Sequence, residues 1–186
     1  MKKKKYFLKE FFKEKKTVGA VSPSSKALGR SMLKNINFSE VNAIAEYGPG
    51  TGVFTRMIIK KMKPGTKLLV FELHDAFYNN LVKEFKDNDN VILINDSAEN
   101  ISKHMKEQGI EELDVVLSSL PLTNFDKRLT ANILKRSHGA LCPKGLYIQF
   151  QYSLNAKRIL KRIFKDVSID FTAKNIPPAF VYTCTK

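Results

Sequence analysis

The chain has 186 residues, the size of one domain with room for a hydrophobic core that needs neither metal nor disulfide staples. With 43% apolar residues, 9 Gly, 7 Pro and 2 Cys, it falls outside the disordered, collagenous and disulfide-rich classes. Its 32 Lys and Arg against 18 Asp and Glu leave a net charge of +14, which points to a polyanionic neighbour, nucleic acid or anionic lipid, or to nothing more than a basic surface.

Other classes are excluded by what the sequence lacks. No apolar run approaches the roughly 20 residues that span a bilayer. Lys9 and Glu10 interrupt the place where a signal peptide would carry its apolar region. A cytoplasmic, monomeric protein is the expectation. Cys142 and Cys184 stand far apart with no metal-ligand spacing, so they read as inert thiols and no metal site is expected.

Taken in chain order, the first element is a basic amphipathic helix over residues 1–17. Phe7, Leu8, Phe11 and Phe12 recur at helical spacing, with lysines such as Lys5 on the other face. Eight lysines and two glutamates in residues 1–16 give +6, and each basic residue near an anionic leaflet contributes about 1 kcal/mol. The helix reads either as a membrane anchor or as a lid packed on the core; the two are compatible.

Residues 18–186 form the second unit. Ser22-Pro23 opens a helix to about Lys34. Strands then follow at Val41 to Tyr47, Lys67 to Leu73, Asn90 to Ile94, Asp114 to Ser118, Gly145 to Gln151, Val167 to Ala173 and Phe180 to Thr185. Helical patterns run between them through Val53 to Met62, Ala76 to Phe85, Ala98 to Gln108, Lys127 to Ser137 and Leu154 to Phe164. This alternation predicts an α/β fold with a seven-stranded, mainly parallel sheet and helices on both faces. No helix separates the last two strands, and Pro177-Pro178 blocks one, so they form an antiparallel hairpin.

The chemistry concentrates at strand ends. Gly48-Pro49-Gly50-Thr51-Gly52 follows the first strand and opens a helix, which lets backbone approach a nucleotide-like ligand closely. Alone, such a turn is weak evidence. Glu72, at the end of the second strand, is placed to accept hydrogen bonds from both ribose hydroxyls of an adenosine. Asp96, after the third, is placed to accept from an adenine amino group, to cap the following helix, or to do both. Glu46, just before the turn, would repel a pyrophosphate and welcome an ammonium. The Gly-Lys-Ser/Thr of a P-loop is missing.

Together, Glu46-Tyr47-Gly48-Pro49-Gly50-Thr51-Gly52, Glu72 and Asp96 resemble the methyl-donor site of the Rossmann-like class I methyltransferases, over about residues 41 to 153. The resemblance implies S-adenosylmethionine as cofactor, held by Glu46, Tyr47, Gly48, Pro49, Gly50, Thr51, Gly52, Glu72, Leu73, Asp96, Ser97 and Ser119.

A narrower resemblance lies in Val18-Gly19-Ala20-Val21-Ser22-Pro23-Ser24-Ser25, Ser118-Ser119-Leu120-Pro121-Leu122 and Asn175-Ile176-Pro177-Pro178-Ala179. These look like the bacterial phospholipid N-methyltransferases, which implies a phosphatidylethanolamine acceptor and peripheral association with a phospholipid membrane surface. Ser118 and Ser119 are the expected amine-positioning residues.

The alternative acceptor is RNA, through the ribosomal RNA adenine N6-dimethyltransferases. That family carries Asn-Leu-Pro-Tyr where this chain has Ser119-Leu120-Pro121-Leu122, so both the amide and the stacking ring are lost. Phe125 is a substitute ring only if it is not packing. A small amine or a protein side chain is the third possible acceptor. His74, His104 and His138 are acid–base candidates by type alone, and no general base is assigned. A second basic run, Lys157-Arg158 and Lys161-Arg162, reads as a surface helix or as an extension of the basic face.

Overall fold

A computed structural model describes residues 23–173 and 175–186. The expected N-terminal helix with Lys5, Phe7, Leu8, Phe11 and Phe12, and the boundary that follows it, lie outside the described residues.

The described residues form seven strands and six helices, which alternate up to β6. The strands are β1 (Ala43–Tyr47), β2 (Lys67–Phe71), β3 (Val91–Ile94), β4 (Leu113–Ser118), β5 (Leu141–Gln151), β6 (Asp166–Thr172) and β7 (Ala179–Thr185). The helices are α1 (Pro23–Leu33), α2 (Val53–Ile59), α3 (Asp75–Phe85), α4 (Ile101–Glu107), α5 (Lys127–Ala140) and α6 (Lys157–Ile163). All form where apolar periodicity places them, within a few residues.

The strand order is β3-β2-β1-β4-β5-β7-β6. β1 to β5 run parallel, and β7 is antiparallel to both of its neighbours. The hairpin of the last two strands is present, and it is β7 that slots against β5: α6 carries the chain past that position to lay β6 at the edge before the chain turns back.

Helices on both faces explain why β1 is buried along its whole length, as parallel strands are. On one face α1, α2 and α3 pack on Ile44, Leu68, Val70, Val115 and Ile148. On the other, α4, α5 and α6 pack on Ala45, Leu69, Phe71, Val116 and Tyr147. Fully buried residues such as Ile44 belong to the class whose truncation to Ala costs about 2 to 5 kcal/mol.

The departures from the sequence pattern have local causes. The helix expected over Ala98 to Gln108 begins as a 3-10 turn over Ala98–Asn100. Ser97, not Asp96, caps that turn, its side chain accepting from the Glu99 amide. β5 starts earlier than expected, at Leu141, and the register against β4 shifts between Leu113 and Val115 to absorb extra residues. Lys144 turns through φ 67 there, and a Cβ on Gly145 would stand 2.9 Å from the Cys142 carbonyl oxygen, so the bulge needs glycine. Among the described residues no helix is long and apolar enough to cross a membrane.

Candidate active site

The strand order reverses at β1, which has β2 on one side and β4 on the other, and ligands of open α/β sheets bind at the carboxyl ends of strands at such a point. β1 delivers Gly48-Pro49-Gly50-Thr51-Gly52 there. Three backbone donors fix the turn: Gly48 N to Phe71 O at 2.9 Å, Gly52 N to Pro49 O at 3.0 Å, and Gly50 N to Glu72 Oε2 at 3.0 Å. Gly52 sits at φ 77, and a Cβ there would stand 2.8 Å from Leu81 Cδ2, so α3 packs directly on the turn's backbone.

Two buried carboxylates lie under the turn on the same sheet face. Glu46 pairs with Val70, two residues before Glu72. The Glu72 carboxylate is wired into the backbone, accepting from Gly50 N through Oε2 and from His74 N at 2.8 Å through Oε1. A carboxylate oxygen accepts more than one hydrogen bond, so these bonds are compatible with the expected ribose contacts.

Glu46 is fully buried, and its carboxylate oxygens make no well-formed hydrogen bond; buried Thr55 is the polar residue near enough to interact with them. Burial pushes the Glu46 carboxyl up to about 8, with Thr55 drawing it down and the Glu72 charge adding to the rise. A buried, unpaired carboxylate is costly, and an incoming ammonium is the group that would satisfy it.

Asp96 borders the site beyond β3. Its Oδ1 accepts from Ser97 N at 2.7 Å and Asn100 Nδ2 at 2.9 Å, and its Oδ2 lies 3.0 Å from His104 Nε2. Partial burial, the largest single influence, raises its pKa; the hydrogen bonds from His104, Ser97 and Asn100 outweigh it, and the net shift is downward. His104 is thus brought to the strand end from one turn into α4. It bridges to Glu107 Oε2 at 2.9 Å and sets its edge on Phe71. The fold-back of the 3-10 turn that brings His104 here is invisible in helical periodicity. His138 is far from this edge, packed on Phe164, and burial lowers its pKa.

Across β1, the loop after β4 faces the turn. Ser119 N donates to Tyr47 O at 2.9 Å, and Leu120 covers Gly48, with Cδ2 3.1 Å from where a Cβ would stand. Ser119 and Leu120 are half-buried. Four side chains considered for the site turn away from the cleft. Ser118 is fully buried, its Oγ accepting from Leu120 N at 3.4 Å, because alternation along β4 aims it into the core beside Tyr147. The Tyr47 ring is likewise in the core, its hydroxyl 3.2 Å from Ser137 Oγ, leaving only its backbone at the turn. Leu122 is buried, and Phe125 is partly buried against the core, the packing role.

The structure adds residues that spacing did not single out. The Leu120 carbonyl accepts from Gln149 Nε2 at 3.0 Å and Gln151 Nε2 at 2.9 Å, and the Tyr147 hydroxyl donates to Gln149 Oε1 at 2.9 Å. Tyr147, Gln149 and Gln151 alternate on one face of β5. Polar residues at every second position of a buried strand are a signal for such a network.

No protein-family model matches the sequence. The ornithine lipid N-methyltransferase of Singulisphaera acidiphila is 29% identical over 179 residues, covering 96% of this chain and 93% of that protein. The ribosomal RNA small subunit methyltransferase A of Hydrogenobaculum is 31% identical over 86 residues, covering 46% of this chain and 32% of that one. Among solved structures, the N-methyltransferase NodS of Bradyrhizobium japonicum, in complex with S-adenosyl-L-homocysteine, superposes with a TM-score of 0.73 at 13% identity over 89% of both chains.

The chain is an S-adenosylmethionine-dependent methyltransferase with a Rossmann-like methyltransferase fold. A putative ribosomal RNA methylase of Clostridium thermocellum shares the fold as well, with a TM-score of 0.67 at 18% identity over 89% of this chain and 97% of that one. The geometry of this methyltransferase fits the donor it uses. The buried Glu46 carboxylate, with no well-formed hydrogen bond, suits the donor's ammonium, the turn brings backbone close beneath Leu120, and Glu72 and Asp96 stand at successive strand ends.

Proposed function

We propose that this methyltransferase N-methylates the amine of a membrane lipid headgroup, with phosphatidylethanolamine as the acceptor. The observation that carries this reading is the similarity, along nearly the whole length of both chains, to a lipid N-methyltransferase. That relative is named for an ornithine lipid, so an ornithine headgroup is the second reading; both present a primary amine next to acyl chains.

When bound, the donor supplies an electrophilic methyl group on a sulfonium. In this reading Glu46 holds the ammonium, residues 48–52 hold the methionine portion by backbone, Glu72 takes the ribose hydroxyls, and Leu73, Asp96 and Ser97 border the adenine. Ser119 and the backbone around Leu120 would orient the acceptor amine towards the donor. The groups on that side are neutral: Ser119, Leu120, Gln149 and Gln151. A neutral, partly desolvated environment disfavours the ammonium form of the acceptor and so favours the free amine that attacks.

The rRNA reading loses support at the same place. The side chain at the position of the stacking aromatic, Leu122, is buried rather than presented to the cleft. The test is incubation of the protein with radiolabelled S-adenosylmethionine and, in parallel, phosphatidylethanolamine, ornithine lipid and protein-free ribosomal RNA. Label in phosphatidylethanolamine is the expected outcome. Label in ornithine lipid alone moves the acceptor to the second reading, and label in RNA alone overturns the lipid assignment.

A further inference from the structure

The sheet edge that carries the donor turn also carries strongly exposed apolar side chains. Ile176 is 84% exposed, Tyr152 49% and Leu154 46%. The topology brings them to one edge: Tyr152 and Leu154 follow the carboxyl end of β5, and Ile176 lies in the connection from β6 to β7. The register there pairs Gln151 with Phe180 and Thr172 with Ala179.

Both loops are held in shape. The Tyr182 hydroxyl donates to Ser153 O at 3.0 Å, and Lys157 N donates to Leu154 O at 3.0 Å. In the other loop Asn175 Nδ2 donates to Pro177 O at 2.7 Å, and the Asn175 side chain also lies beside the Tyr152 hydroxyl. The apolar tips are therefore presented by ordered backbone rather than left over from poor burial.

Charge surrounds them. α5 and α6 both start at this edge, exposing Lys127 and Arg128 on one and Lys157 and Arg158 on the other. Residues 127–165 hold ten Lys and Arg and no Asp or Glu. Asp126, which caps α5 through the Leu129 amide, is the acidic group beside them.

We propose that Tyr152, Leu154 and Ile176, flanked by these cations, form a rim by which the catalytic domain docks on an anionic lipid bilayer. The aliphatic tips enter the boundary between headgroups and acyl chains, the phenol lies at the interface, and the cations meet lipid phosphates. Two of the three tips are aliphatic and offer no ring for a base to stack on, and the cations beside them meet lipid phosphates, which favours lipid over single-stranded nucleic acid. Because the rim and the donor turn share one edge, a headgroup reaches the cleft while its acyl chains stay in the bilayer. The proposal deepens the lipid reading of the function and is independent of residues 1–17.

The test uses the full chain carrying Leu154→Ser and Ile176→Ser, sedimented beside wild type with vesicles of phosphatidylethanolamine and phosphatidylglycerol. The variant's partition coefficient falls roughly tenfold, as expected for two aliphatic side chains withdrawn from the interface. Its melting temperature, its affinity for S-adenosylhomocysteine and its activity on detergent-dispersed phosphatidylethanolamine match wild type. A partition within about twofold of wild type overturns the rim, since burial of either side chain exceeds that effect. So does a wild type that fails to sediment with these vesicles, or a variant whose loss is in binding to ribosomal RNA instead. Failure of the headgroup reading looks different: wild type then leaves detergent-dispersed lipid unlabelled while vesicle partition still separates the two proteins.

Discussion

On the donor side of the carboxyl edge, between β1 and β3, backbone amides hold the chain. Gly48, Gly50 and Gly52 each donate into the surrounding frame, and Glu72 gathers Gly50 and His74. On the acceptor side, between β4 and β5, side-chain amides take over, with Gln149 and Gln151 both donating to the Leu120 carbonyl. The difference teaches where specificity resides. On the proposed reading, a donor common to many enzymes is gripped by geometry that the backbone supplies, whereas the loop proposed to meet the acceptor is positioned by residues that substitution can retune.

The largest expected effect is on the donor side, at Glu46. Its folded pKa of about 8 lies above the unfolded value near 4.5, so between these pH values the folded state holds a proton that the unfolded state has lost. The contribution of Glu46 to stability without donor is therefore fully present below about pH 4.5 and is lost as pH rises towards 8. Glu46→Gln removes this dependence. At pH 8 the donor-free variant is more stable than wild type by on the order of 4 kcal/mol, and the difference vanishes near pH 4.5, as chemical denaturation across pH measures. The same variant binds S-adenosylhomocysteine more weakly by calorimetry. Wild type at pH 7 releases a proton on binding, because the incoming ammonium stabilises the ionised carboxylate.

Gly52→Val tests whether the turn tolerates a side chain. The left-handed backbone and the 2.8 Å approach to Leu81 Cδ2 both oppose it, and urea denaturation should show a loss of about 3 kcal/mol. Glu72→Ala removes the acceptor shared by Gly50 and His74 as well as the expected ribose contact. Donor affinity falls by roughly 2 kcal/mol, and an unchanged affinity overturns the ribose assignment.

The acceptor side responds in a different observable. Gln149→Leu leaves the Leu120 carbonyl with one fewer donor, lowering stability by about 1 to 2 kcal/mol. Its kcat for methyl transfer falls while S-adenosylhomocysteine affinity stays at the wild-type level; a matching loss in both erases the distinction between the two halves. The smallest effect is at Asp96, whose lowered pKa contributes stability above about pH 4 that is lost as pH falls through its folded value. Asp96→Asn at pH 7 costs well under 1 kcal/mol, because the carboxylate is partly solvated.

The fold was legible because every element announces its own period. Val53, Phe54, Met57 and Ile58 mark α2, β-branched and aliphatic runs mark the strands, and Pro177-Pro178 marks the turn before β7. Glycines before a helix, with Glu72 and Asp96 at later strand ends, likewise mark a site by local pattern. What misled was the direction of side chains. Ser118 and Ser119 are adjacent in sequence, yet alternation sends the first into the core and leaves the second half-buried at the cleft. Tyr47 is drawn inward in the same way.

Sequence by itself determined the order of strands and helices, the place of the glycine turn and the excess of positive charge, all properties of neighbouring residues. Only the tertiary structure decided that β7 lies between β5 and β6, that His104 returns to Asp96, that two glutamines of β5 hold the loop after β4, and that Glu46 is fully buried beside Thr55 with no well-formed hydrogen bond. Each of these depends on a pairing between segments distant in the chain. The energy of such a pairing comes from register and from exclusion of water, which no local period encodes.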